Sequence, residues 1–530
     1  MITTHVNQLP RTSLDSAVNE LVSHAVPSRI ASKDDSVWGP EAAHEASIRL
    51  GWVSDPSAMS AVIQRVEELR EDMQSRGIDN VVLCGMGGSS LAPEVIATRN
   101  GLPLTILDST HPDQVRRALS KPLEHTAVVV ASKSGTTVET AAARAAFEQA
   151  FIEAGLSPAD HMVFVTDPAS PLDQEATSAG FPVFHADPTI GGRFSALSAF
   201  GVVPTTLAGA DTQTLIGQAS AVVSACGSDN ADNPAVVLGA ALSDPARPYA
   251  VIVPDSTTLP GLGDWVEQLV AESTGKDGKG VLPVVVNSAA HPLVVDAPSD
   301  VLLIGVSENS TDVAGTHLTV TGSLGEQFVV WQWATAMAGY LLHINPFDQP
   351  DVESAKSAAR SLLEQRPDSL QPAFSEAGVD VSSLNLDLDV EAGIAGVWRS
   401  VVERAGSDGY IALHVYADRE EPGAWEDLAS ALATESQRPV TLGYGPRFLH
   451  STGQFHKGGT PSGTFVQIEV APSQEVQIPG FPFGFGQLLD AQAAGDRHVL
   501  SSRGLPVVTL RVSDPAALAL LAGWVGSSDH

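Results

Sequence analysis

The chain has 530 residues, more than three times the roughly 150 of a typical domain, which excludes a single small module and calls for two or three domains. Hydrophobic residues make up 43% and charged residues 17%, with 46 Gly and 35 Pro, a profile that excludes a disordered or collagen-like chain. Lys and Arg number 29 against 62 Asp and Glu, a net charge of −33 that repels phosphate backbones and anionic lipid, so neither nucleic acid nor a membrane is an expected partner.

The first residues, Met1 to Gln8, show no basic region followed by an apolar run, and no apolar stretch approaches the roughly 18 residues of a membrane span. Cys84 and Cys226 are too few and too far apart for a disulfide framework or a zinc set. A cytoplasmic protein is the expectation.

In chain order, Val62, Val66, Leu69 and Met73 recur at helical spacing and predict a helix over Ala61 to Arg76, stopped by Gly77. A strand is predicted at Val81 to Cys84, broken by Gly85-Met86-Gly87-Gly88-Ser89-Ser90, with a helix from Leu91 to Arg99. The same strand–turn–helix order recurs at Ala127 to Ala131, Ser132 to Thr137 and an Ala-rich helix from Val138, followed by a strand at Met162 to Val165. Such continuous β-branched runs are what parallel strands buried on both faces require. Beyond about residue 210, further strands are predicted at Tyr249 to Val253 and Val301 to Val306, with an apolar helix over Phe328 to Leu342. After about residue 390 come strands at Tyr410 to Tyr416, Val440 to Tyr444, Phe465 to Val470 and Val507 to Val512. The polar stretch Glu364 to Leu386, with Pro367 and Pro372, reads as a linker. The expected architecture is α/β: two α/β domains with parallel sheets and a C-terminal α/β portion.

Several segments carry chemistry. A Gly-rich turn between a strand and a helix, as at Gly85 to Ser89, exposes backbone N–H groups at the positive helix end and suits an anion. It is not the dinucleotide fingerprint, because Ser90 stands where a third Gly is needed, and no Walker Lys follows. Ser132, Ser134, Thr136 and Thr137 put four hydroxyls at the second junction, more than helix capping needs, and read as a phosphate cradle that requires no metal. In Gly191-Gly192-Arg193-Phe194-Ser195, two glycines let the backbone approach a ligand while Arg193 can sit near developing negative charge. Gln268 and Glu272 lie one turn apart on a predicted helix ending at Gly275; behind Val270-Ala271, Glu272 suits proton abstraction if the site is dry.

These segments occur in one order with a fifth, Phe347-Asp348-Gln349-Pro350-Asp351-Val352-Glu353-Ser354-Ala355-Lys356. On these residues the sequence resembles the phosphoglucose isomerase (glucose-6-phosphate isomerase) family, built from two sugar-isomerase (SIS) domains, over roughly residues 80 to 360. It looks most like the isomerase half of bacterial transaldolase–phosphoglucose isomerase fusions. The resemblance implies two three-layer αβα SIS domains at 51–210 and 211–363, after an N-terminal extension (1–50) and before a linker (364–389) and the C-terminal α/β portion (390–530). It implies interconversion of glucose 6-phosphate and fructose 6-phosphate without a cofactor or metal. Ser132, Ser134 and Thr137 become phosphate ligands, with Gly88, Ser89 and Gly192 lining the pocket. Glu272 becomes the base, Gln268 and Gln349 substrate contacts, Arg193 the cation that steadies the enediolate, and Lys356 a ring-opening group.

The family's ring-opening histidine has no match in its usual interval, where His291, His317 and His343 lack the expected neighbours. The nearest likeness is His450-Ser451-Thr452-Gly453-Gln454-Phe455-His456-Lys457-Gly458-Gly459, so His456 is the expected residue and His450 the second candidate. The alternatives are a noncatalytic sugar-phosphate regulator and an isomerase of broader sugar-phosphate use. The resemblance also implies a homodimer with composite sites, although the C-terminal portion could complete the site within one subunit.

Overall fold

The computed structural model describes residues 2–9, 11–255, 257–309, 313, 315–352, 358–360, 363, 370–420, 425–513, 517–521 and 523. The strands, in chain order, begin with β1 (Thr3–Val6), β2 (Asn80–Gly85), β3 (Leu104–Leu107), β4 (Thr126–Ala131), β5 (Met162–Thr166) and β6 (Val183–His185). Next come β7 (Tyr249–Pro254), β8 (Leu282–Val285), β9 (Val301–Ser307) and β10 (Leu318–Thr321). The last are β11 (Phe374–Glu376), β12 (Val379–Leu384), β13 (Tyr410–Tyr416), β14 (Val440–Tyr444), β15 (Gly463–Val470) and β16 (Val507–Val512).

They form three sheets, ordered β3-β2-β4-β5-β6, β1-β10-β9-β7-β8 and β11-β12-β16-β15-β13-β14. Every pair in the first sheet is parallel. Its central strands are largely apolar because both faces are covered. Val82, Cys84, Val128 and Val130 pack on one side with Ala142, Phe147 and Phe151, while Leu83, Val129 and Ala131 pack on the other with Val66, Phe200 and Val203. The strand order reverses between β2 and β4, and in such sheets ligands bind beyond the strand C-termini at that switch. The two turns leaving β2 and β4 are the Gly-rich and hydroxyl-rich segments.

Two stretches differ from the sequence expectation. The N-terminal extension supplies β1, which pairs antiparallel with β10, and a helix, Arg11–Ser23, whose Leu14, Val18 and Leu21 join the core around Trp331 and Trp333. It is an edge of the second sheet. The described part of the expected linker supplies β11 and β12, with β12 pairing antiparallel to β16. Val379 and Val381 are buried while Asp380 is exposed, an alternation that the surrounding prolines and serines disguise. Among the described residues no helix is long and apolar enough to cross a membrane.

Candidate active site

The turn after β4 is shaped by its own residues. Gly135 adopts φ +74°, and a Cβ there would stand 2.5 Å from that of Leu172. The Gly135 N–H donates to Ser132 Oγ at 3.1 Å, while Ser134 Oγ and Thr136 Oγ1 lie 2.8 Å apart on the exposed rim. Thr137 occupies the N-cap of the Val138–Glu153 helix and makes no side-chain capping bond, so its hydroxyl stands at the positive end of that helix uncommitted to capping.

The Gly-rich turn is packed backbone to backbone. A Cβ on Gly87 (φ +55°) would lie 2.7 Å from the His450 carbonyl oxygen, and one on Gly88 2.1 Å from that of Gly192. Ser195 Oγ donates to the carbonyls of Gly192 at 2.6 Å and Gly88 at 3.2 Å, joining the two glycine turns. Ser89 is half-buried beside them.

Against these turns lies the Leu262–Thr274 helix, whose Gln268 and Glu272 are 2% and 7% exposed. Arg193, equally buried, places NH1 2.9 Å from Glu272 Oε1 and donates to Gln349 Oε1 at 2.9 Å. Its Nε donates to Ser273 Oγ, and its NH2 to the carbonyls of Pro346 and Asp348. The guanidinium is thus held by five partner atoms in one orientation. Gln268 Nε2 donates to Glu272 Oε2 at 3.1 Å and to the His450 carbonyl at 2.8 Å. Lys276 Nζ donates to the carbonyls of Asn345 and Asp348 and to Asp348 Oδ1 at 2.6–2.7 Å, pinning the loop that presents Gln349. Burial, then the charge of Arg193, brings Lys276 down to about 8 against the pull of Asp348.

The third sheet's unit closes this site through one segment. Arg447 reaches Glu94 Oε2 at 2.5 Å and Asp108 Oδ2 at 3.0 Å, and Gln454 Nε2 donates to the Gly275 carbonyl at 2.9 Å. Between them, His450 places Nε2 3.0 Å from Oε1 of Glu139, in the first turn of the helix that follows the hydroxyl-rich turn. Oε1 also accepts from Gln492 Nε2 at 2.7 Å.

The structure therefore brings Gly88, Gly192, Arg193, Gln268, Glu272 and Gln349 together, with the turn bearing Ser132, Ser134 and Thr137 joined to them through Glu139 and His450. It does not bring His456 to them. The helix Gly453–Gly458 turns that ring into the third sheet's core, where Nδ1 lies 2.9 Å from Tyr410 Oη and the ring stacks on Tyr410 beside His414 and Phe465. Burial, reinforced by His414 and Lys457, drives its pKa well below the ordinary histidine value, so it is a neutral core residue. Lys356 lies outside the described residues. Sequence reading passed over Glu139, Lys276 and Gln492. Glu139 left a trace as an acidic residue opening an Ala-rich helix; Gln492 left none.

A family model for phosphoglucose isomerase matches residues 56–281. A probable glucose-6-phosphate isomerase of Natronomonas pharaonis is 30% identical over 371 residues, covering 60% of this chain and 84% of that protein. The chain belongs to the phosphoglucose isomerase family. A probable glucose-6-phosphate isomerase of Haloarcula marismortui is 28% identical over 54% of this chain and 78% of its own length. Among solved structures, a hypothetical protein of Thermus thermophilus superposes with a TM-score of 0.58 at 26% identity, over 68% of this chain and all of its own. A glucose-6-phosphate isomerase of Chlamydia trachomatis shares the fold, with a TM-score of 0.56 at 20% identity over 69% of this chain and 88% of its own. Within this phosphoglucose isomerase family member, Gln349, His450 and Gln492 all lie beyond the segment that the family model matches.

Proposed function

We propose that the chain interconverts glucose 6-phosphate and fructose 6-phosphate, with all the described groups supplied by one subunit. The observation that carries this reading is Gln268, whose one amide nitrogen bonds both the Glu272 carboxylate and the His450 main chain, so that a base and an imidazole-bearing turn share one wall. The substrate phosphate is held by the hydroxyls of the 132–137 turn at the positive N-terminal end of the Val138–Glu153 helix. Glu139, accepting from His450 Nε2–H, fixes that nitrogen as the protonated one and leaves Nδ1 to exchange a proton with the sugar during ring opening. Glu272 then moves a proton between C2 and C1 of the open chain. Arg193, locked in place before substrate arrives, offsets the enediolate charge without reorganisation.

This places the second histidine candidate, not the first, in the ring-opening role. Formation of glucose 6-phosphate from fructose 6-phosphate, followed with a coupled dehydrogenase, tests it. Wild type is expected to be active, and Glu272→Gln and His450→Ala each to lose about 10²- to 10⁴-fold in kcat. No activity in wild type would reject the substrate, and a fully active Glu272→Gln would remove Glu272 as the base.

A further inference from the structure

We propose that Gln492 is a positioning residue for ring opening: it clamps the Glu139 carboxylate so that Glu139 can aim His450. This rests on the reading of His450 as the ring-opening group. Gln492 is 3% exposed and lies on the Phe485–Ser502 helix of the third sheet's unit, whereas Glu139 belongs to the first. Thr110 Oγ1 donates to Gln492 Oε1 at 2.7 Å, which commits that atom as the acceptor and turns the amide nitrogen toward Glu139. Gln492 Nε2 and His450 Nε2 then converge on the same oxygen, Glu139 Oε1, at 2.7 and 3.0 Å.

A carboxylate held by one donor can rotate about its last torsion; one held by two at a single oxygen keeps that oxygen where the imidazole needs it. An amide suits the task because it donates without adding a charge that would compete with His450 for the carboxylate. The charged groups around His450 are Glu139 on its ring and, through Gln268, Glu272 with Arg193; Arg447 on the same turn is engaged by Glu94 and Asp108.

The helix bearing Gln492 is itself fixed. Asp496, one turn on and fully buried, pairs with Lys457 Nζ at 2.6 Å and meets His414 Nδ1 at 3.2 Å. Lys457 belongs to the short helix that follows His450, so a buried ion pair ties together the two helices flanking the imidazole. Docking of the third unit thereby delivers both the histidine and the amide that steadies its partner.

A double-mutant cycle on fructose 6-phosphate isomerisation tests this. Gln492→Leu, close in volume and without hydrogen bonds, is expected to lower kcat about tenfold with KM within about twofold, since the phosphate turn is untouched. In a Glu139→Ala background, where nothing remains to clamp, the same substitution is expected to change kcat less than about twofold. A tenfold loss in both backgrounds, or an unchanged kcat in folded Gln492→Leu, would overturn the clamp. If Gln492→Leu fails to fold, Thr110→Val, which frees Gln492 Oε1, is expected to lower kcat in the same direction and to lose its effect with Glu139→Ala; an unchanged kcat there overturns the proposal equally. His450→Ala is run alongside: full activity in that variant refutes the histidine assignment itself, whereas impaired His450→Ala with unimpaired Gln492→Leu refutes only the clamp.

Discussion

Gly88→Ala isolates the contact between the two glycine turns. Gly88 does not adopt a positive φ, so the substitution introduces no backbone strain and its cost is spatial. The added methyl would stand 2.1 Å from the Gly192 carbonyl oxygen and 2.3 Å from its carbon, against a normal approach of about 3.5 Å. Both obstacles are backbone, so one turn must retreat by more than about 1 Å; no rotamer change relieves it. The next residue is Arg193, whose NH1 lies 2.9 Å from Glu272. A displacement of that size removes it from hydrogen-bond range. The expected result is a fall in kcat of about 100-fold with a stability loss of about 1–3 kcal/mol, read by the coupled isomerase assay and by thermal denaturation. A folded Gly88→Ala enzyme with kcat within about threefold of wild type would refute the argument that Arg193 is aimed through this contact.

His456→Phe replaces one buried ring by another and removes the bond to Tyr410; about 1 kcal/mol of stability should be lost while isomerase activity stays within about threefold of wild type, and a 100-fold loss would return His456 to the mechanism. Burial alone would push Glu94 up, but the guanidiniums of Arg447 and Arg419 outweigh it and hold the carboxyl at about 2. A depressed carboxyl stabilises the fold above its unfolded value and loses that contribution as pH falls toward the folded one, so up to about 3 kcal/mol is present at neutral pH and fades between about pH 4.5 and 2. Glu94→Gln should therefore be much less stable than wild type at pH 7 and differ less than half as much at pH 3; an equal gap in denaturant unfolding at both pH values would contradict this.

The longer strands β2, β4, β5, β7, β9 and β13 to β16 were legible because burial demands unbroken β-branched runs, a local requirement written into consecutive residues such as Val81 to Cys84 and Ala127 to Ala131, whereas β3, β6, β8 and β10, of three or four residues each, were too short to read. The pattern weakens where only one face is buried. Thr3–Val6, with its half-polar edge, and Val379–Leu384, among prolines and serines, are joined to their sheets through partners more than 120 residues away in sequence.

The chemistry divides in the same way. Arg193, Gln268, Glu272 and Gln349 stand in segments whose order along the chain already marks them. The choice between His450 and His456, six residues apart in one segment, depends on which way two successive short helical turns face, and that is set by Tyr410 and His414 around His456 and by Gly87 and Glu139 around His450. Glu139, Gln492 and Thr110 meet across separations of more than 350 residues, at one carboxylate oxygen and one amide. No local periodicity records such a meeting, because hydrogen-bond geometry between distant side chains exists only once the sheets that carry them have docked.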